Sequence, residues 1–342
     1  MRNILCVTLI ALLGGCTSTS VTEKYQDKRN DIINVKDKVI EFETGNVLIG
    51  SVSRLYMSNK CLLIADHKSV DKQIHIFNKN DFSYLTSIGN FGEGPEEITV
   101  MGCLAIDEAH HQLYVSDHAK QKIFSYDMDS VMVDSLYKPQ VKTAMNETLF
   151  PSEYQYINDT LSIAVLIKPT STSTFNQFLG RWNMNTGEMI PMKYTHPDIQ
   201  KKRITFAASE KAGIYVECYT RHDLMTICSL DGELLYNIYG PDWDGGNGNK
   251  LQSFGTVMIG NDKIFVSYCG EDYARDSFPT KILVFDLEGN YLKTLETGYK
   301  ISDCCYDSFN NRIILSLNDV VQFAYLDIDL SLIHISEPTR LD

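Results

Sequence analysis

Aspartate directly precedes histidine at two places in this 342-residue chain, Asp66-His67 and Asp117-His118, one repeat length apart. Carboxylates and imidazoles converging on one surface can hold a metal ion or serve as general base and general acid. The same residues have a structural use, because an aspartate at the end of a strand caps the following turn with its side chain. Arg221, His222 and Asp319 fall at comparable places further along. Trp243, between Asp242 and Asp244 and ahead of Gly245-Gly-Asn-Gly248, places an aromatic ring beside carboxylates, which suits stacking on a sugar or gripping a cation. Asp66, His67, Asp117, His118, Arg221, His222, Trp243 and Asp319 make up the candidate ligand-binding face. No Gly-x-Ser-x-Gly, His-Glu-x-x-His or nucleotide-binding glycine pattern occurs, so no catalytic residue is assigned. Gly92-Glu-Gly-Pro-Glu-Glu97 reads as a rigid turn: Gly92 and Gly94 permit unusual backbone angles and Pro95 fixes φ. No lysine or helix start accompanies these glycines, which argues against a phosphate cradle.

Asp and Glu (44) outnumber Lys and Arg (31), for a formal net charge of −13, and no basic run appears. That balance argues against nucleic acid as a partner. After Cys6 and Cys16, seven cysteines remain, with no Cys-x-x-Cys spacing, and most sit in apolar strand-like runs. They read as buried thiols. Cys218 and Cys228 flank the turn near Asp223 and are the one pair that could meet across a hairpin.

These groups need a scaffold, and the sequence repeats one. Leu62-Leu-Ile-Ala-Asp66, Leu113-Tyr-Val-Ser-Asp117, Leu161-Ser-Ile-Ala-Val165, Ile214-Tyr-Val-Glu-Cys218, Ile264-Phe-Val-Ser-Tyr268 and Ile313-Ile-Leu-Ser-Leu317 start 51, 48, 53, 50 and 49 residues apart. Each is preceded by a weaker strand, such as Val52-Ser-Arg-Leu-Tyr56, and followed by a second strand and often a third, as after the turns Asp231-Gly232 and Glu288-Gly289. Such turns carry glycine because tight hairpins need positive φ. Six four-stranded units of about 50 residues, with no amphipathic helical period, predict an all-β fold, a six-bladed β-propeller over residues 37–329. Ring closure then assigns Lys38-Val-Ile-Glu-Phe42 to the outer edge of the blade holding Ile313 to Asp329.

The passage Ile74-His-Ile-Phe77 through Leu85-Thr-Ser-Ile-Gly89-Asn-Phe-Gly92-Glu-Gly94-Pro95-Glu96-Glu97, followed by Leu113 to Asp117 and Ile123-Phe-Ser-Tyr126, resembles the TolB-like six-bladed propeller lipoproteins of Bacteroidetes. The resemblance spans roughly residues 38 to 329 and departs most near Pro151 to Gly187. It implies a fold and an address more than an activity.

The ends carry the address. Arg2, the apolar run Ile4 to Leu13 and the small residues after it make 1–15 a signal peptide. Leu13-Gly14-Gly15-Cys16 resembles the bacterial lipobox, which implies acylation of Cys16 and a lipid (palmitate) anchor in the membrane. The polar stretch 16–36 is expected to be a flexible tether. Absence of Asp after Cys16 favours the outer membrane. Leu330 to Arg340 resembles a translated sequencing adaptor, so 330–342 is read as a non-native tail. The expectation is thus a monomeric, envelope-anchored propeller, not an enzyme, needing no cofactor and binding or scaffolding a peptide, glycan or protein partner. The competing expectation is a calcium-dependent hydrolase resembling lactonase-type propellers, with carboxylates such as Asp66 and Asp117 turned into the channel.

Overall fold

The computed structural model describes residues 22–134, 136–199, 202–246 and 250–329. The signal segment, Cys16 and the tail 330–342 lie outside them. Six sheets, each with four antiparallel strands running from inner to outer, form six blades. Blade 1 comprises Ser53–Met57, Cys61–Asp66, Lys72–Asn78 and Tyr84–Asn90. Blade 2 comprises Met101–Asp107, Gln112–Asp117, Lys122–Asp127 and Gln140–Ala144, and blade 3 Phe150–Asn158, Leu161–Pro169, Phe175–Trp182 and Met189–Pro191. Blades 4 and 5 begin at Ile204–Ser209 and Leu251–Gly260 and end at Leu234–Tyr239 and Tyr291–Glu296. Blade 6 holds Ile301–Asp307, Arg312–Leu317 and Phe323–Asp327, and Val39–Glu41 completes it by pairing antiparallel with Phe323–Asp327, as ring closure required.

Apolar side chains gather into six clusters, one between each pair of adjacent blades, including the pair of blades 6 and 1. Second strands such as Cys61–Asp66 and Ile214–Tyr219 are buried along their whole length. Covered on both faces, they read as unbroken apolar runs rather than alternating ones. Hairpins close on Gly232 (φ 85°) and Gly289 (φ 79°), where a side chain would be strained.

Three expectations are corrected. The tether does not extend to residue 36. Glu23–Tyr25 adds in parallel to the outer strand of blade 4, and Ile32–Asn34 adds in parallel to that of blade 5. An outer strand presents free backbone N–H and C=O groups, so a strand added there needs no apolar face. Side chains fix this strap: Glu23 accepts hydrogen bonds from Asn237 Nδ2 (3.0 Å) and the Tyr239 hydroxyl (2.6 Å), and Tyr25 stacks on Tyr239 at 4.5 Å. Arg29 Nη1 lies 2.7 Å from Asp223 Oδ1, with side-chain exposures of 7% and 0%. Its guanidinium sits among the rings of Phe254, Tyr268 and Phe285. Second, Cys218 and Cys228 do not face each other: Met225 opposes Cys218 and Tyr215 opposes Cys228, and all seven described cysteines are buried and free. Third, one short α-helix is present among the described residues. α1 (Met128–Val133) follows the third strand of blade 2, where Asp127 caps it by accepting from the Ser130 N–H (2.7 Å). Among the described residues no helix is long and apolar enough to cross a membrane.

Candidate binding site at the channel mouth

The connections from second to third strand and from each outer strand to the next blade lie on one face, where the inner strands begin. Inner strands of all six blades enclose a central channel of about 360 Å³. Near this mouth, side chains from distant blades meet. Arg54 of blade 1 donates to Glu153 of blade 3 (2.9 Å), and each side chain is 39% exposed. Asp303 of blade 6 accepts from the Leu55 N–H (2.8 Å) and from the Thr256 hydroxyl (2.7 Å). Burial raises the Asp303 carboxyl above the ordinary range, against the pull of Arg54 and these donors.

His67 and His118 stand at equivalent positions of blades 1 and 2, and each keeps a buried Nε2 with no hydrogen-bond partner among the described residues. Burial lowers both imidazole pKa values, and for His67 the charge of Arg54 adds to the effect. Both rings are therefore neutral at pH 7. His118 lies across Gly102: its Nε2 is 2.5 Å from where a Cβ would stand. A Phe150 ring edge packs 6.1 Å away. The mouth thus presents one part-exposed ion pair flanked by the part-exposed rings of His67 and His118, whose Nε2 atoms stay buried.

Asp66 and Asp117 are not on that surface. Asp66 accepts from the N–H groups of Gly50 (2.7 Å) and Lys68 (2.9 Å), and is buried. Asp117, fully buried, accepts from Thr99 (2.8 Å), Val100 (3.2 Å), Ala119 (2.9 Å) and Lys120 (3.1 Å). Both tie a turn to the incoming crossover, the capping use of a strand-end aspartate. They do not turn into the channel as the calcium expectation had them.

The remaining candidates fall elsewhere on the same face. Arg221 covers the Tyr273 ring at 3.8 Å. His222 Nδ1 is 3.7 Å from Asp244 Oδ1. Trp243 is half-buried rather than offered to solvent, packed against Tyr239, His196 and His222 at 5.0, 5.8 and 5.9 Å. Its loop is folded back by the Trp243 N–H to Gly240 bond (3.1 Å). Asp319 is exposed at the tip of a blade 6 turn, where it accepts from the Val320 N–H.

The Gly92 to Glu97 turn is closed on itself. Glu97 Oε2 accepts from the Gly94 N–H (2.8 Å) and occupies the space a Cβ on Gly92 would need. Lys120 Nζ donates to the carbonyls of Gly94 (2.6 Å) and Glu97 (2.5 Å). On the opposite face Asp107, His110 and Asp159 come close enough for a metal. Asp107 there accepts from the His110 N–H (3.1 Å), and Asp307 accepts from the Asn310 N–H (3.3 Å) at the same turn of blade 6, so the arrangement is a repeated hairpin.

Sequence reasoning missed Arg54, Glu153 and Asp303. The available signal was a charged residue inside an inner strand, as Arg54 is in Val52-Ser-Arg-Leu-Tyr56.

Residues 17–176 match the family model described as DUF5128, 6-bladed beta-propeller. No curated protein matches the chain. Among solved structures, a Bacteroides fragilis protein described as exported is 13% identical, with a TM-score of 0.56 and coverage of 86% of this chain and 87% of that one. A DUF4221 family member from Bacteroides vulgatus is 11% identical at TM-score 0.57, covering 85% and 95%. A luciferin-regenerating enzyme is 8% identical at TM-score 0.57, covering 87% and 97%. Likeness at these identities concerns the fold, and with the six sheets and the family match it makes this chain a six-bladed β-propeller.

Proposed function

We propose that this propeller is an envelope-anchored binding or scaffold module that grips an extended peptide or protein segment at its channel mouth. The observation that carries the reading is the meeting of Arg54, Glu153, His67 and His118 on the face where the turns also expose apolar tips. Val320 is 99% exposed, Leu48 94% and Val70 82%, all on connections of that face. Single exposed apolar residues are ordinary, but several around one polar mouth mark an interaction surface. The part-exposed Arg54–Glu153 pair can exchange its hydrogen bond for those of a peptide backbone or its charged groups, with the His67 and His118 rings packed beside it. Apolar tips favour a polypeptide over a glycan.

Lipobox-like Cys16, the resemblance to TolB-like lipoproteins and the similarity to a Bacteroides protein described as exported support anchorage to the outer membrane. The test is titration of the soluble ring with panels of extended peptides and oligosaccharides, and with calcium against chelator, read as shifts in melting temperature. Peptide binding that weakens in Glu153→Gln supports the reading. Saturable shifts with calcium or oligosaccharide alone would replace it.

A further inference from the structure

The blade face opposite the mouth holds a groove built on an insertion in blade 2 that blades 1, 3, 4 and 5 lack. In blades 1, 3, 4 and 5 the third and fourth strands are joined by five, six, four and four residues, whereas blade 2 uses the twelve residues 128–139. This insertion begins with α1, which leans on the outer strand of blade 1. His111 Nδ1 bonds to Asp129 Oδ2 (2.7 Å), and the Met128 N–H donates to the His111 carbonyl (2.9 Å), so the helix is pinned to the ring. Between helix and blades lies a cavity of about 530 Å³, a size ordinary for small-molecule sites. Its apolar lining includes Leu85, Ile106, Met128 and Met132, and Leu85 and Met132 are 44% and 38% exposed. Methionines adapt their shape to irregular apolar ligands. The rim carries two exposed carboxylates, Glu108, which accepts from the Asn59 N–H (2.7 Å), and Asp129, which is bonded to His111, beside one ammonium, Lys60.

We infer that the groove between α1 and blade 1 binds a small amphiphile with an apolar chain and a cationic head: the chain against Leu85, Met128 and Met132, the head between Glu108 and Asp129. Apolar burial supplies affinity, and the acidic excess of the rim selects the sign of the head. The site lies apart from the channel mouth, so it stands or falls independently of the reading above.

Calorimetric titration of the protein with decyltrimethylammonium and with decyl sulfate, both below their micelle-forming concentrations, tests it. The expected result is saturable 1:1 binding of the cationic chain, about tenfold tighter than the anionic one. Leu85→Asn with Met132→Asn, both part-exposed, should weaken both probes about tenfold while the protein still unfolds in one cooperative transition. Glu108→Gln with Asp129→Asn should bring the two probes together. Absence of saturable binding, equal affinity for the two heads in the unaltered protein, or indifference to the Leu85/Met132 change would each overturn the inference.

Discussion

Replacing Arg29 by methionine tests whether the polar N-terminal segment is part of the fold. Arg29 donates to Asp223 at 2.7 Å, and neither side chain is more than 7% exposed. Methionine retains much of the apolar contact with Phe254, Tyr268 and Phe285 but strands the carboxylate. Removing one partner of a buried pair typically costs about 3–5 kcal/mol. At about 2 °C per kcal/mol for a ring of this size, the melting temperature should fall by about 6–10 °C at pH 7.5. The pH dependence is fixed in sign. Burial already raises the Asp223 carboxyl, with Arg29 opposing it, and loss of Arg29 raises it further. A carboxyl whose folded pKa is raised contributes stability that is present below its unfolded pKa and lost as pH rises through the folded one. The penalty in the variant should therefore be largest at neutral pH and shrink as pH falls, because protonation removes the stranded charge. Arg29→Met with Asp223→Leu should recover much of the loss, because no buried charge is left unpaired. Scanning calorimetry at pH 7.5 and pH 4 reads all three proteins. An unchanged melting temperature in Arg29→Met, or an equal loss at both pH values, would refute a strap held by this pair.

Asp117→Ala should lower stability by about 2–4 kcal/mol in denaturant titration, because it abandons four backbone N–H groups at a buried turn. Asp303→Asn should be compared with the unaltered protein at pH 4 and pH 8: burial raises the Asp303 carboxyl, so its stabilising contribution relative to asparagine should be greater at the lower pH. Gly102→Ala should displace the His118 ring, visible as altered histidine NMR shifts, and lower stability by about 1–3 kcal/mol, since the new Cβ would stand 2.5 Å from its buried Nε2.

Much of the ring is legible in the sequence because a second strand covered on both faces must be apolar throughout, which made Leu62, Leu113, Leu161, Ile214, Ile264 and Ile313 the markers of six units. The closing strand was legible by the same logic, since a ring has no free end. Glu23–Tyr25 and Ile32–Asn34 were not, because a strand laid along an outer edge is held by backbone and by single contacts such as Glu23 with Tyr239, which leave no period. The short helix α1 also escaped notice: six residues with one fully buried side chain, Val131, carry too little pattern. At the site, the Asp-His pairs were visible as chemistry, but burial divides each pair, the aspartate into a turn and the histidine toward the mouth. Arg54 and Glu153 belong to blades 1 and 3, and only ring closure brings them within 2.9 Å.

Photo-crosslinking in intact cells can show whether the channel mouth is the interaction face. A photoreactive side chain is placed at Val70 or Val320 on the mouth face, or at Phe309, which is 81% exposed on the opposite face. The expected result is a discrete polypeptide adduct from Val70 and Val320 that is lost when Glu153→Gln is added, and none from Phe309. Adducts of equal yield from Phe309, or mouth adducts indifferent to Glu153→Gln, would contradict it.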